Sequence, residues 1–333
     1  MKLLGKDLKK EILYIAEIGV NHEGSIPRCL KLIKEAKQAG ADVVKFQCFT
    51  PEQYVSKDIQ KYKTIQKFFF NQKIFDKIIK FCKKIKIKYL FTPVSHDWIN
   101  YIKKNSNTIK VASGDLNFNF LINQIVKKKF NIILSTGTSS FEEIQKTFKI
   151  IKLKYGKQIF KKLVIMHCVS RYPVPDEDAN LLSIVFLKNK FNLTIGYSNH
   201  VIGINACLAS ICMGARVIEF HFTDNKKRKF RDHQLSLDKS DVIKMIKVGN
   251  NYNRLIGKYK KIVNKKVLLD KKIFSKGIIA NKNLDIGHKI KIGDLSFARP
   301  AKYFHANEVE KILNKKIKTK IKFGSLIKKS IFK

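Results

Sequence analysis

The chain has 333 residues, of which 44% are hydrophobic, so it can bury a large core and is not a mainly disordered protein. Its formal net charge is +42, and the lysines are spread along the whole chain without a nucleic-acid-binding motif. We therefore expect a solvated basic surface that favours the approach of an anionic small substrate. Binding of nucleic acid or another polyanion is the alternative interpretation of this charge.

The compartment can also be predicted. No apolar stretch reaches the roughly 18 uncharged residues of a membrane helix, and the first residues lack the features of a signal peptide. The six cysteines are scattered among apolar residues with no CxxC pair, which is typical of reduced, partly buried thiols. We expect a cytoplasmic protein with no membrane contact.

Short apolar runs alternate with helical patterns over the first 255 or so residues. Nearly continuous apolar runs predict strands that are buried on both faces. They are Ile12–Ile18, Val43–Cys48, Tyr89–Val94, Ile109–Ala112, Ile132–Ser135, Leu163–Cys168, Leu193–Tyr197 and Val217–Phe222. The clearest helical patterns between them are Ile26–Ala39, Lys73–Ile85, Phe141–Tyr155 and Val201–Gly214. Eight such repeats predict a (β/α)₈ barrel over residues 1–257. An open doubly wound sheet is the alternative, and the chain lacks the GxGxxG motif typical of its dinucleotide-binding form.

The C-terminal part of the chain has a different pattern. Residues 258–272 are rich in lysine and lack a barrel repeat, so we predict a linker there. Residues 273–333 have short β-like runs, turns that contain glycine and one short helix near Asn307–Leu313. They predict a small, mostly β second domain.

Two histidines close two consecutive strand candidates. His200 follows the seventh strand, His221 ends the eighth, and one predicted helix lies between them. This is one strand–helix–strand step, so both imidazoles are expected at the same end of neighbouring parallel strands. Two imidazoles that leave positions open for water and substrate are typical of a Lewis-acid metal site.

The ends of the other predicted strands are polar as well. The active site of a (β/α)₈ barrel lies at the C-terminal ends of its strands. Lys45 and Lys110 lie inside apolar runs, where a lysine needs an anionic partner. Together with the hydroxyls of Ser113, Ser135 and Ser198 they predict a pocket for a phosphate and a carboxylate. A lysine that forms a Schiff base, as in an aldolase, is the alternative.

Eight motifs in order resemble one family. They are AEIGVNHEGS, VVKFQCFTPE, IKVASGD, ILSTG, MHCVSRYPVP, IGYSNH, EFHFTD and FARPA. Together they resemble the bacterial sialic acid synthase family, which includes the N-acetylneuraminate, legionaminate and pseudaminate synthases. The resemblance covers nearly the whole chain. It implies a (β/α)₈ barrel followed by an antifreeze-like (SAF) domain, in a domain-swapped homodimer.

The resemblance also implies an activity. The family condenses phosphoenolpyruvate with an N-acetylated amino sugar, such as N-acetylmannosamine or a 2,4-diacetamido-trideoxyhexose. The products are a nine-carbon 2-keto sugar acid and phosphate. The expected cofactor is a divalent metal, Mn²⁺ first and Mg²⁺ or Co²⁺ otherwise.

The resemblance assigns roles by position. His200 and His221 are implied as the metal ligands and, with Glu17, as the catalytic residues. The implied phosphoenolpyruvate pocket consists of Lys45, Thr92, Lys110, Ser113, Ser135, Tyr172 and Ser198. The implied sugar site consists of Glu17, Gln47 and Asp232, with Arg299 contributed by the partner subunit.

The chain departs from the family pattern at several positions. The departures are Ser170, Asn199, Phe220 and the basic tract after Asp224. They leave the identity of the sugar open.

Overall fold

The computed structural model describes residues 1–229 and 232–332. It consists of two compact units, Met1–Gly257 and Lys258–Lys333. Phe230 and Arg231, in the basic tract after Asp224, lie outside the described residues, as does Lys333, the last residue of the predicted second domain. Within the described residues, no helix has both the length and the apolar character needed to cross a membrane.

The first unit is built around a parallel sheet of eight strands. They are β1 (Leu13–Glu17), β2 (Val43–Cys48), β3 (Lys88–Pro93), β4 (Thr108–Val111), β5 (Asn131–Ser135), β6 (Leu163–Cys168), β7 (Thr194–Asn199) and β8 (Val217–His221). Their order is β3-β2-β1-β8-β7-β6-β5-β4, and β3 also contacts β4 at the two ends of this order. The predicted (β/α)₈ barrel is therefore confirmed, with strand bounds within two residues of the prediction.

Each barrel strand is followed by a helix. The main helices are α1 (Ile26–Gln38), α2 (Gln72–Lys84), α3 (Ile99–Asn105), α4 (Asn119–Lys127), α5 (Phe141–Tyr155), α6 (Leu182–Phe191), α7 (Asn205–Cys212) and α8 (Lys239–Ile256). Helix α5 begins at a capping box in which Ser140 and Glu143 bond each other's backbone N–H, as the sequence indicates. The long β2–α2 connection also holds two short helices, Pro51–Tyr54 and Tyr62–Phe68, and Ile159–Lys162 follows α5.

Alternation along the strands separates two apolar layers. In β1, Tyr14 and Ala16 face the helices, whereas Leu13 and Ile15 belong to a second buried cluster together with Val43, Leu90, Ile133, Val164, Met166 and Val217 of other strands. Leu3 and Leu8, at the N-terminal hairpin of strands Lys2–Leu3 and Lys6–Asp7, belong to the same cluster. This end of the barrel is a packed core, so a cavity inside the barrel can open only at the other end.

The second unit contains two antiparallel strands, β9 (Gly277–Ala280) and β10 (Leu295–Ala298), around a core of isoleucines and leucines. The predicted short helix is a 3₁₀ helix at Ala306–Lys311, and further 3₁₀ turns occupy Ile292–Asp294 and Lys329–Phe332. The predicted linker is more regular than expected, because an α-helix, α9 (Lys265–Phe274), occupies most of it and continues past its end.

Candidate active site

The inward positions of the barrel strands change from apolar to polar towards the C-terminal ends. In β8 the inward series is Val217, Glu219 and His221, and in β2 it is Val43, Lys45 and Gln47. Side chains alternate between the two faces of a strand. The residue two positions after each inward apolar residue therefore also points into the barrel. The polar residues therefore gather in a cavity of about 450 Å³ at this end of the barrel.

Four charged side chains form the floor of this cavity. Lys45 Nζ lies 2.7 Å from Glu17 Oε2 and 3.7 Å from Glu219 Oε1, and it donates a 3.0 Å hydrogen bond to Thr92 Oγ1. Lys110 Nζ lies 3.2 Å from the same Glu219 oxygen. All four charged residues are at most 5% exposed. The anionic partners that the sequence demands for the two lysines are thus carboxylates of the chain itself.

Burial and charge oppose each other on this floor. Burial raises the pKa of Glu17 despite the nearby Lys45. Burial also acts to raise the pKa of Glu219, but Lys110 and Lys45 outweigh it and lower that pKa. Burial lowers the pKa of Lys110, whereas Glu17 and Glu219 outweigh burial at Lys45 and raise its pKa. Glu17 is therefore the carboxyl group of this floor that most readily holds a proton.

The two histidines lie side by side on the cavity wall. Their ring centroids are 5.3 Å apart, and the ring of Tyr172 lies 4.1 Å from that of His200. His200 Nδ1 lies 2.7 Å from the backbone oxygen of Val169, and in the neutral tautomer that donates Nδ1–H to this carbonyl Nε2 is an acceptor. Burial lowers the pKa of His221 to about 4, so its imidazole is neutral at pH 7.

The donor set fits a metal held by two imidazoles. His221 Nδ1 is buried without a hydrogen-bond partner in the described structure, at 3.6 Å from Asp232 Oδ2. A neutral ring and a ring oriented through a backbone carbonyl are the state in which histidines ligate metals. Among the described residues, no group of three or more His, Cys, Asp or Glu side chains has metal-binding geometry. A metal here would need water or substrate to complete its coordination.

Hydroxyl groups line the wall at the ends of β4, β5 and β6. Ser113 Oγ accepts a 2.9 Å hydrogen bond from the backbone N–H of Gly137, and Ser135 Oγ is buried without a partner among the described residues. A Cβ atom at Gly137 would lie 2.6 Å from Ser170 Oγ and 2.9 Å from Ser113 Oγ. A side chain at this position would therefore displace these two hydroxyls. Such a cradle can accept the oxygens of an anion.

Most residues that the sequence predicts for the site line this one cavity. They are Glu17, Lys45, Gln47, Thr92, Lys110, Ser113, Ser135, Tyr172, Ser198, His200, His221 and Asp232. Arg299 belongs to the second unit, where its Nε donates a 2.6 Å hydrogen bond to the backbone oxygen of Phe274. The individual roles of these residues remain predictions.

The sequence analysis does not assign Glu219 to the site. In the structure it pairs with both lysines and accepts a 3.1 Å hydrogen bond from Ser198 Oγ. Glu219 lies two residues before His221 on the same face of β8, and this spacing could have predicted its place in the cavity. Asp115 is a second omission, since it lines the cavity and burial raises its pKa to about 6.

Two of the departures from the family pattern lie away from the cavity. Asn199 faces the helices, where its Nδ2 donates a 2.8 Å hydrogen bond to Val201 O and its Oδ1 accepts one from Tyr197. Phe220 is 1% exposed and packs in the core between barrel and helices. Ser170 does line the cavity, so it is the departure that bears on the site.

The fold and the cavity define a (β/α)₈-barrel enzyme with a buried lysine pair and a histidine pair. The model of the NeuB family matches residues 32–261. The chain belongs to the NeuB family.

Three similar proteins illustrate this membership. The N,N'-diacetyllegionaminic acid synthase of Campylobacter jejuni is 30% identical over 92% of this chain and 96% of its own length. A pseudaminic acid synthase of the same organism is 30% identical over 97% of both chains. The crystal structure of the N-acetylneuraminic acid (sialic acid) synthetase from Leptospira borgpetersenii, in complex with citrate, has a TM-score of 0.74 and is 29% identical. That match covers 78% of this chain and 90% of the other.

Proposed function

We propose that this protein condenses phosphoenolpyruvate with the open-chain aldehyde of an N-acetylated amino sugar. Water is consumed, and the products are a nine-carbon 2-keto sugar acid and phosphate. The observation that carries the proposal is the arrangement of Lys45 and Lys110 beside His200 and His221 in one cavity at the C-terminal end of the barrel. One pair suits the anionic substrate, and the other suits a metal that activates an aldehyde.

Phosphoenolpyruvate would lie over the lysines and the hydroxyl wall. The buried, unpartnered Ser135 Oγ faces this cavity, and leaving such a group unsatisfied costs about 1–3 kcal/mol. A phosphate oxygen would relieve that cost. Burial raises the pKa of Glu17, which suits a carboxylate that takes up a proton during the reaction.

The metal is part of the proposal. A divalent ion, with Mn²⁺ as the first candidate, would be held by His200 and His221 and would supply Lewis acidity to the aldehyde oxygen of the sugar. The Val169 carbonyl keeps the His200 ring in one orientation. Asp232 and Gln47 would bind hydroxyls of the sugar and fix its aldehyde carbon opposite C3 of phosphoenolpyruvate.

The bond changes can then be assigned to residues of this chain. C3 of phosphoenolpyruvate forms a bond to the aldehyde carbon, and water adds to the electron-poor C2. Of the two protons of this water, one ends on the former aldehyde oxygen, which becomes a hydroxyl, and the other leaves with the phosphate as C2 becomes a ketone. Glu17 would accept the proton released by this water, from its place beside Lys45. The C2–O bond to phosphate then breaks, and Lys45 and Lys110 stabilise the charge of the leaving phosphate.

We further propose a domain-swapped homodimer in which residues 273–333 form an antifreeze-like (SAF) domain, in the cytoplasm. Helix α9 supports an association, because its apolar side chains are at least half exposed: Val267, Leu268, Leu269, Ile273 and Phe274. An exposed apolar helix face of this kind is typical of a protein–protein interface. The occupant we propose is a second copy of the chain, whose Arg299 would reach the sugar.

Phosphate release tests the activity. Purified protein is incubated with phosphoenolpyruvate, Mn²⁺ and either N-acetylmannosamine or a 2,4-diacetamido-trideoxyhexose. We expect phosphate only when both substrates are present, with loss of activity on chelation and recovery with Mn²⁺. An absence of turnover across the whole sugar panel contradicts the proposal. Borohydride treatment with pyruvate separates it from an aldolase, because a covalent adduct would favour the Schiff-base alternative.

Subunit mixing tests the placement of Arg299. The Arg299→Ala and Lys110→Met variants should each be inactive alone, because one lacks the residue given to the partner and the other lacks a cavity residue. If Arg299 acts in the partner's cavity, mixed dimers have one cavity with both residues intact, and activity should return to about a quarter of the wild-type value. Mixtures that stay inactive after confirmed subunit exchange contradict the swapped placement.

A further inference from the structure

The backbone of Asp232, in the loop after β8, is tied to the loop after β1. The carboxylate of Asp232 lines the cavity, with Oδ2 at 3.6 Å from Nδ1 of His221. Its backbone oxygen accepts a 2.5 Å hydrogen bond from the hydroxyl of Ser236. Ser236 Oγ in turn accepts a 3.0 Å hydrogen bond from Nδ2 of Asn21, a fully buried residue of the loop after β1. Two successive hydrogen bonds therefore connect Asp232 to the neighbouring loop.

The next residue, His233, is held through both nitrogens of its ring. Its side chain is fully buried, with Nε2 at 2.9 Å from Glu23 Oε1 and Nδ1 at 2.6 Å from Thr223 Oγ1. A carboxylate only accepts hydrogen bonds, so Nε2–H donates to Glu23. In the neutral tautomer that makes this bond, Nδ1 accepts the proton of the Thr223 hydroxyl. Asp232 is thus followed by a residue whose ring has one defined orientation.

The two partners of His233 belong to neighbouring barrel strands. Thr223 lies two residues beyond the end of β8, Glu23 lies in the loop after β1, and β8 pairs with β1. Arg228 donates hydrogen bonds of 2.7 and 2.9 Å to the two oxygens of Glu23, which fixes the carboxylate that His233 contacts. Arg228 is part of the basic tract after Asp224, where the chain departs from the family pattern. This tract therefore supports the anchor of His233.

We propose that His233 is a positioning residue for the sugar site. Its side chain does not line the cavity, whereas the carboxylate of the adjacent Asp232 does. The anchored ring holds the backbone so that Asp232 stays on the wall that carries His221. This inference rests on the proposed function, in which Asp232 binds hydroxyls of the sugar. A displacement of about 1 Å is enough to weaken such contacts severely, and phosphoenolpyruvate, bound at the lysines, would not be affected.

Kinetics of two variants test this role. The assay uses saturating Mn²⁺ and whichever of N-acetylmannosamine and the 2,4-diacetamido-trideoxyhexose the wild type turns over faster. His233→Ala removes both hydrogen bonds, and KM for the sugar should rise about 10-fold, the size expected for one lost hydrogen bond to a charged group. KM for phosphoenolpyruvate should not change. His233→Gln can place an amide N–H where Nε2–H lies, so it should bring KM for the sugar back to within about 3-fold of wild type.

His167→Ala is the matched control. His167 is another buried imidazole, at 6% exposure, and its Nε2 lies 2.8 Å from the backbone oxygen of Ala179. It does not line the cavity. Its replacement should lower Tm much as His233→Ala does, but it should leave KM for both substrates unchanged. The comparison separates a loss of stability from a loss of position.

A double variant tests whether His233 acts through Asp232. Asp232→Ala removes the carboxylate and should lower kcat/KM for the sugar, which phosphate release at low sugar concentration measures even in a slow enzyme. Adding His233→Ala should lower kcat/KM no further, because coupled residues are not additive. Independent action would instead lower it by about another 10-fold.

The outcomes separate this inference from the proposed function. An unchanged KM for the sugar in His233→Ala, or an equal rise in both KM values, overturns the positioning role and leaves the condensation standing. A full additional loss in the double variant does the same. If His233→Ala does not fold, His233→Asn takes its place, because its shorter side chain does not reach Glu23. No phosphate release by the wild type with any sugar overturns the proposed function and this inference with it.

Discussion

The buried lysine pair offers the clearest prediction about how the cavity is built. Replacing Lys110 with Met removes the charge at nearly constant length. Glu219 Oε1 then retains the Ser198 hydroxyl at 3.1 Å and Lys45 at 3.7 Å, and it loses the Lys110 contact at 3.2 Å. Removing one partner of a buried ion pair costs about 3–5 kcal/mol, and the remaining Lys45 points to the lower end, about 3 kcal/mol.

Thermal unfolding of the variant measures this cost. For a domain of this size 1 kcal/mol corresponds to about 2–4 °C, so Lys110→Met should lower Tm by about 6–12 °C. Lys146→Met is the control, because Lys146 is exposed on α5 and should change Tm by about 1–2 °C at most. Phosphoenolpyruvate turnover by Lys110→Met should fall about 100-fold or more, through loss of charge stabilisation on the leaving phosphate. A Tm shift no larger than that of the control would refute the idea that Lys110 is held by a buried carboxylate.

Two further predictions concern regions outside the cavity floor. Burial acts to raise the pKa of Asp294, but hydrogen bonds from Lys282 and His288 outweigh it and hold that pKa below its usual range. The stabilisation is therefore present above about pH 4 and is lost as the pH falls further, so thermal unfolding between pH 6 and 3 should show a steeper loss in wild type than in Asp294→Asn. Glu23 accepts hydrogen bonds at 2.7 and 2.9 Å from Arg228, which belongs to the loop that follows β8. These bonds hold that part of the loop in position. Glu23→Gln should raise KM for the sugar several-fold with little change in KM for phosphoenolpyruvate, and equal changes in both would contradict this positioning role.

The barrel could be predicted because strand and helix alternate without interruption. Eight apolar runs give the strands, and the period of two within each run gives the inward face. The same rule brings Lys45, Lys110 and His221 into one cavity, although they are far apart in the chain. What the pattern alone leaves open is which buried charges pair with each other. The Glu219–Lys110 contact joins residues 109 positions apart, and no local periodicity encodes it.

Other parts of the site could not be predicted from the sequence. The two short helices of the β2–α2 connection, Pro51–Tyr54 and Tyr62–Phe68, lie in a stretch with a weak apolar period, yet Tyr54, Ile65 and Phe68 line the cavity. Helix α9 begins in the lysine-rich segment that is predicted as a linker. None of its residues is buried, so it has no buried apolar face of the kind that marks a packed helix. The local pattern does not reveal the cavity lining of the first segment, and α9 has no buried residue that a helical pattern could have marked.

The most direct test of the central claim follows the bridging oxygen of phosphoenolpyruvate. The substrate is labelled with ¹⁸O between C2 and phosphorus, and the enzyme is given the acceptor sugar and Mn²⁺. Attack by C3, addition of water at C2 and loss of phosphate predict one phosphate per nine-carbon acid, with the label in the phosphate. Label retained in the sugar acid, or sugar acid formed without phosphate, would contradict the account.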